Sequence, residues 1–515
     1  MRRRSWELAR LSACVGVVCM MLSACGGGGG GGGGGVSTGG GTGGNSGGGT
    51  PSAPTPQISV NTAGGGAQIV ADQIGTNLAI WYDFTQAGTT AAVKSLGVKL
   101  VRWPGGSDSD EYHWQTHTAC NGAYVDPNTS FDNFIADVVK PGAYDLAVTL
   151  DYGSNAACSA GGDPTEAAAW VAHAKSLGLT GLHWTVGNEE YGSWEYDLHA
   201  VPHDPTTYAA AVAGSNGYYA LVKAQDPTAQ VGVVVGGTPY SSWDTNVLAN
   251  ATYDYVELHY YAQNPGNEND TNLLTQGPSG LTALIKSVQA ELAAVGKPNT
   301  PIYLGEYNSV SSNPGKQSVS IVNGLYAGMA IGEVLNDGLP MATWWQGIGA
   351  GCSTGGNNST SLYGWQTIGT YDQLADNFPN PYSCAGAPTI PLGTPLPSGQ
   401  AMILASQFAV AGNQMLPVTV PSTLPNVRAY AATQGKGYAL MLFNLDSANS
   451  VTLSLQMAGS SASGFTVTTT TYGKAQYDQS QNNVWTGPVS ASLGAMGTTP
   501  TLTLPPWSMV VVQMQ

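Results

Sequence analysis

Positive charge is the scarcest resource of this sequence. Lysine and arginine together number 16 against 32 acidic residues, a formal net charge of -16. Beyond residue 25 only two arginines remain, Arg102 and Arg428. That balance excludes nucleic acid and anionic membrane surfaces as partners, because both need a basic field. Charge of either sign is sparse, at 9% of residues. Long apolar runs are missing as well, and past the N-terminus no stretch is suited to span a bilayer. Cysteine is rare, with seven in all. What the chain has instead is glycine (70), tyrosine (25) and tryptophan (13) in 515 residues. Aromatic rings on a weakly charged surface suit stacking on neutral sugars, and they also build cores.

Residues 1–25 read as a targeting segment. Arg2, Arg3 and Arg4 are followed by a short apolar run from Leu11 to Leu22, the length of a signal-peptide core. The run ends in Leu22-Ser-Ala-Cys25, which resembles a bacterial lipobox, with Cys25 as the lipidated residue. This predicts an exported bacterial lipoprotein of the cell envelope or surface, touching membrane only through that anchor. Residues 26–56, unbroken glycine from Gly26 to Gly35 and then Ser, Thr and Pro, form a tether. Cys14 and Cys19 leave with the signal. The four that remain, Cys120, Cys158, Cys352 and Cys384, predict two disulfides in an exported chain. Three pairings are open, and the local one (120 with 158, 352 with 384) is expected.

From residue 57 strand-like and helical segments alternate. Strands are expected at Asn77–Tyr82, Val98–Trp103, Tyr144–Leu150, Leu182–Gly187, Val231–Val235, Tyr253–His259, Pro301–Gly305 and Pro340–Trp345. Asp163-Pro-Thr-Glu166 is a capped helix start, and further helices are expected over 208–224, 281–295, 318–335 and 398–411. Eight strands with helices between them make a (β/α)8 barrel over 57–412, of α/β class. Short alternating strands over 413–515 predict an antiparallel β-sandwich, with 58–70 as a strand able to pair with it.

Two of the barrel strands stop on a glutamate. Trp184-Thr-Val-Gly-Asn-Glu-Glu-Tyr191 carries Glu189, and Pro301-Ile-Tyr-Leu-Gly-Glu-Tyr-Asn308 carries Glu306. Strand ends at the C-terminal face are where barrel enzymes place their chemistry, and two carboxylates on one rim are what glycoside hydrolysis requires. Val101-Arg-Trp-Pro-Gly-Gly106, Val186-Gly-Asn-Glu-Glu-Tyr-Gly-Ser-Trp194, Leu258-His-Tyr-Tyr261 and Leu304-Gly-Glu-Tyr-Asn308 follow one another as in clan A glycoside hydrolases. From about residue 58 to the C-terminus the chain most resembles the family 51 α-L-arabinofuranosidases. The resemblance implies Glu189 as general acid/base and Glu306 as nucleophile of a retaining double displacement, with Asn188 on the neighbouring sugar hydroxyl. Glu189 is then expected where its charge is disfavoured, and Glu306 where Arg102 and Tyr261 keep it ionised.

Glu190 is the nearest rival for the acid. His259 is expected to support the site from behind, and Trp103, Trp344 and Trp345 are candidate sugar platforms or packing. Adjacent strand residues face opposite ways, so at most one of Trp344 and Trp345 meets the pocket. Two departures bear on the sugar. Family 51 enzymes hold furanose hydroxyls with a glutamate near the end of strand one, where this chain offers only Asp83. They also have Asn after the Pro-Gly-Gly turn, where this chain has Ser107.

His199 and His203 are four apart, but Pro202 spoils a helix there. The run 264–272, with Glu268 and Asp270, reads as a solvated loop rather than a calcium site. No metal and no cofactor is expected. The prediction is a carbohydrate-cleaving enzyme, most like an α-L-arabinofuranosidase. The alternatives are a clan A exo- or endo-glycosidase of other specificity and a non-catalytic glycan-binding surface lipoprotein.

Overall fold

The computed structural model describes residues 55–354, 356–376, 390–461 and 463–515. Cys25 and Cys384 lie outside the described residues, and with them the expected lipid anchor and the expected 352–384 pairing. Eight parallel strands close into a barrel. They are β1 Gly75–Asn77, β2 Leu100–Trp103, β3 Asp145–Leu150, β4 His183–Val186, β5 Gln230–Val235, β6 Tyr255–Gln263, β7 Ile302–Val310 and β8 Met341–Trp344. β8 pairs with β1 to complete the ring. The first strand is shorter than Asn77–Tyr82. Leu78, Ala79 and Ile80 are fully buried, but in an irregular segment, so an apolar run imitated a strand.

The helix expected over 208–224 is two helices, Pro205–Ala213 and Tyr218–Gln225. The chain turns between them at Gly214 and Gly217, where a Cβ at Gly217 would lie 2.3 Å from the carbonyl of Ala211. Helix Asp270–Ala294 begins earlier than expected and keeps Pro278 inside it. Asn269 caps it, and Asp270 accepts from Gln317 and from the Tyr363 amide. The run expected as a solvated loop is a mostly exposed loop over 264–269, with Glu268 buried, and the helix takes over at Asp270.

The C-terminal region forms two facing sheets, one of four strands and one of six. Gln57–Asn61 joins the smaller sheet, antiparallel to Val418–Thr419 and parallel to Val451–Ala458. The sandwich is therefore antiparallel except at this strand, which arrives from the far end of the sequence. Ile58, Val60, Leu453 and Leu455 meet Leu440, Leu442, Val510 and Val512 in its core. Helix Ile321–Asn336 is buried on nearly every side, because it lies between the barrel and the six-stranded sheet. A Cβ at Gly328 would sit 2.7 Å from Met509 Sδ, and one at Gly332 2.5 Å from the Tyr430 ring. Small residues one turn apart let the sheet approach the helix that closely.

Candidate active site

Alternation along β6 sets the inner wall. Val256 and Leu258 pack outward into the helical layer, and Tyr255, Glu257, His259 and Tyr261 alternate with them toward the barrel axis. On β7 the register slips between Leu304 and Glu306, a bulge that re-aims a side chain at the strand end. Gly305 permits it: a Cβ there would stand 2.0 Å from Glu257 Oε1. Glu306 thus reaches the mouth beside Tyr261, whose hydroxyl donates to its Oε2 at 2.6 Å. On β4, Gly187 takes φ +74° and turns the chain out of the strand so that Asn188 and Glu189 follow at the rim.

Arg102 is fully buried and ties the floor together. Its Nη1 donates to Glu306 Oε1 at 2.9 Å and to Asn77 Oδ1 at 3.0 Å, and Nη2 donates to Asn188 Oδ1 at 2.8 Å. Its Nε lies 2.8 Å from Glu257 Oε1. Buried charges persist only when paired in this way, and the two carboxylates raise the guanidinium pKa against the effect of burial. Glu257 was not foreseen, although the alternation around His259 pointed it inward.

His259 is more than a support. Its Nε2 lies 3.1 Å from Glu257 Oε1 and its Nδ1 2.9 Å from Glu189 Oε1. Carboxylates on both ring nitrogens favour the imidazolium, in which both nitrogens donate. Burial opposes that charge, but Glu306, Glu189 and Glu257 overcome it and push the pKa up to about 10. The same Nδ1 is 3.7 Å from Glu306 Oε2. Legs of 2.9 Å and 3.7 Å cap the distance between those two carboxylate oxygens at 6.6 Å.

Glu189 departs from expectation. Burial works to raise its pKa, yet His259, Trp194 and Tyr191 hold it below the usual carboxylate value. Trp194 Nε1 donates at 2.8 Å and the Tyr191 hydroxyl at 3.0 Å. The balance expected to protonate Glu189 is thereby reversed, and His259 is the group whose protonated form these contacts favour. Glu190, the rival acid, turns away from the mouth and is fully buried toward Asp110. Asn188 is committed to Arg102 and to Glu195, whose Oε1 also accepts from Ser107 at 3.0 Å.

The remaining candidates divide. Trp103 is fully buried among Tyr112, Phe131, Phe134 and Trp170. It cannot share the inner face with its neighbour Arg102, so it is core and not a sugar platform. Trp344 packs on Tyr307 and Tyr326. Trp345 turns the other way, over the Pro-Gly-Gly turn, where a Cβ on Gly106 would meet its ring at 2.7 Å. Asp83 bonds Thr85 and Asn128 and makes no contact with the carboxylate pair, so it is no substitute for the missing glutamate. Cys120 and Cys158 are disulfide-bonded, with Cα atoms 5.6 Å apart.

No family model matches the sequence, and no curated protein matches it. Solved structures do. One is the α-L-arabinofuranosidase of Thermotoga maritima in complex with arabinose, 16% identical with a TM-score of 0.67. The match covers 90% of this chain and 100% of that one. The thermostable GH51 α-L-arabinofuranosidase of Thermotoga petrophila is 17% identical, with a TM-score of 0.63 and the same coverage. A Paenibacillus polymyxa xyloglucanase of glycoside hydrolase family 44 is 13% identical, with a TM-score of 0.61, again over 90% and 100%. The chain has the barrel-and-sandwich fold that these family 51 and family 44 proteins share.

Proposed function

We propose that this protein is a retaining glycoside hydrolase, most like an α-L-arabinofuranosidase, with Glu306 as nucleophile and Glu189 as general acid/base. The observation that carries the reading is the ceiling of 6.6 Å between their facing oxygens. A retaining pair stands about 5–5.5 Å apart, whereas an inverting pair needs roughly 6.5–9.5 Å to admit a water.

In the first step a Glu306 oxygen forms a bond to the anomeric carbon while the glycosidic C–O bond breaks. The departing oxygen takes a proton from Glu189. That proton starts on His259 Nδ1, 2.9 Å from Glu189 Oε1. As Glu306 becomes an ester it loses the charge that held the imidazolium, so the proton passes to Glu189 when the leaving group needs it. Water, deprotonated by Glu189, then breaks the ester and returns the proton. Arg102 and Tyr261 hold Glu306 ionised and oriented, and Trp345 supplies a ring at the mouth.

Because Asp83 is bonded elsewhere and Ser107 replaces Asn, another clan A specificity is the second reading. A panel of aryl glycosides and plant glycans, assayed with wild type, Glu306→Gln and Glu189→Ala, tests both. Glu306→Gln should lose at least about 10⁴-fold in kcat. Glu189→Ala should retain most of its rate only on substrates whose leaving group needs no proton. Turnover untouched by both substitutions rejects the site, and wild type inert on every glycan rejects the enzyme in favour of a binding protein. Export as a Cys25-linked lipoprotein belongs to the same proposal. Labelling with a radioactive fatty acid should mark the wild type and not Cys25→Ala, and equal labelling or none refutes it.

A further inference from the structure

Behind the mouth, the loop after β4 leaves buried ligand atoms without partners. Glu190 is fully buried, no basic or neutral group donates to its carboxylate oxygens, and the one side chain in hydrogen-bond contact with it is the Asp110 carboxyl. Its charged neighbours are Asp110, Glu195 and Asp197, all acidic. His203 Nδ1 is likewise buried and unpartnered. Asp197 is held between them: Oδ1 accepts from the His199 amide at 2.8 Å and Oδ2 from the His203 amide at 2.8 Å. One ligand atom each from Glu190, Asp197 and His203 all lie within 4.8 Å of one another.

An unpaired buried carboxylate demands a positive partner. Either a proton sits between Glu190 and Asp110, or a cation binds. The proton explains Asp110 and Glu190 but leaves the His203 nitrogen idle. We propose that Glu190, Asp197 and His203 bind one divalent cation of the zinc class. Such an ion takes imidazole and carboxylate together at about 2.0–2.2 Å, so three ligands on it stand roughly 3.3–3.8 Å from one another, a closure of about 1–1.5 Å from the outer limit of this arrangement. Calcium, which prefers oxygen throughout, would leave the imidazole unused. The cation would pin the loop that carries Glu189 and Trp194. This goes against the expectation that Pro202 rules out a metal here. The proline spoils only a helical i, i+4 pair, and the site instead combines His203 with two carboxylates from earlier in the loop. It does not depend on the proposed reaction.

The test uses the purified full chain, stripped with a chelator and titrated with zinc chloride by calorimetry. Wild type should bind one equivalent and melt at a higher temperature with it. His203→Ala and Glu190→Gln should each weaken binding by at least about 10-fold. No binding by wild type, or undiminished binding by both variants, overturns the site. Should either variant fail to fold by circular dichroism, X-ray absorption of zinc-loaded wild type decides. One imidazole with oxygen ligands supports the site, and sulfur or two or more imidazoles refutes it.

Discussion

Glu189 and Glu190 are neighbours in sequence and opposites in circumstance. Glu189 faces the mouth, where His259, Trp194 and Tyr191 donate to it or oppose its charge, and it is held below the usual carboxylate range despite burial. Glu190 faces inward, where burial and then Asp110 push it well above that range. The contrast extends to the two clusters they belong to. At the mouth, Glu189, Glu257 and Glu306 share two cations, Arg102 and His259. Behind it, Asp110, Glu190 and Glu195 have none, and Asp110 is raised to about 7, first by burial. Burial alone therefore does not decide whether an acid in this protein is charged. What differs between the two clusters is the positive and hydrogen-bonding groups beside the acids, and the mouth has Arg102 and His259.

The contrast breaks most severely at Arg102. Arg102→Met leaves Glu257 and Glu306 buried without their guanidinium. Removing one partner of a buried pair costs about 3–5 kcal/mol, so chemical denaturation should show a loss of that size. A loss below about 1 kcal/mol would mean that His259 suffices alone.

His259→Gln removes the other cation while keeping a hydrogen-bonding side chain. In wild type the alkaline limb of kcat/KM should fall near pH 10, the value to which His259 is raised. In the variant the limb should move to lower pH, with kcat/KM reduced on the order of 10²-fold. An unmoved limb would show that the proton is not drawn from His259.

The smallest expected effect lies in the cluster without a cation. Asp110 and Glu190 have folded pKa values above their unfolded ones. Their stabilising contribution is complete below about pH 4 and declines as pH rises through about 7 and beyond. With metal removed by chelator, melting temperature should fall between pH 5 and 8, and Glu190→Gln should flatten that decline. A slope unchanged by the substitution would contradict the raised Glu190.

Much of this site was legible in the sequence because barrel strands end on it. Glu189, Glu306, Arg102 and Tyr261 sit in short motifs at strand ends, and the strand count closes the barrel. Alternation carries more than the strand ends do. Arg102 facing inward forces Trp103 outward, and His259 facing inward brings Glu257 with it. What no periodicity carries is the loop after β4, where Gly187 reverses the chain and Glu190 buries itself against an aspartate from another loop. The protonation of Glu189 was illegible for a different reason, since it depends on a histidine 70 residues away.

The stereochemistry of the first product tests the central claim most directly. Proton NMR of the reaction, on whichever aryl glycoside the enzyme cleaves best, records the anomer released before mutarotation. Carboxylates whose facing oxygens stand no more than 6.6 Å apart predict net retention of configuration. Release of the inverted anomer would mean that water, not Glu306, attacks the sugar.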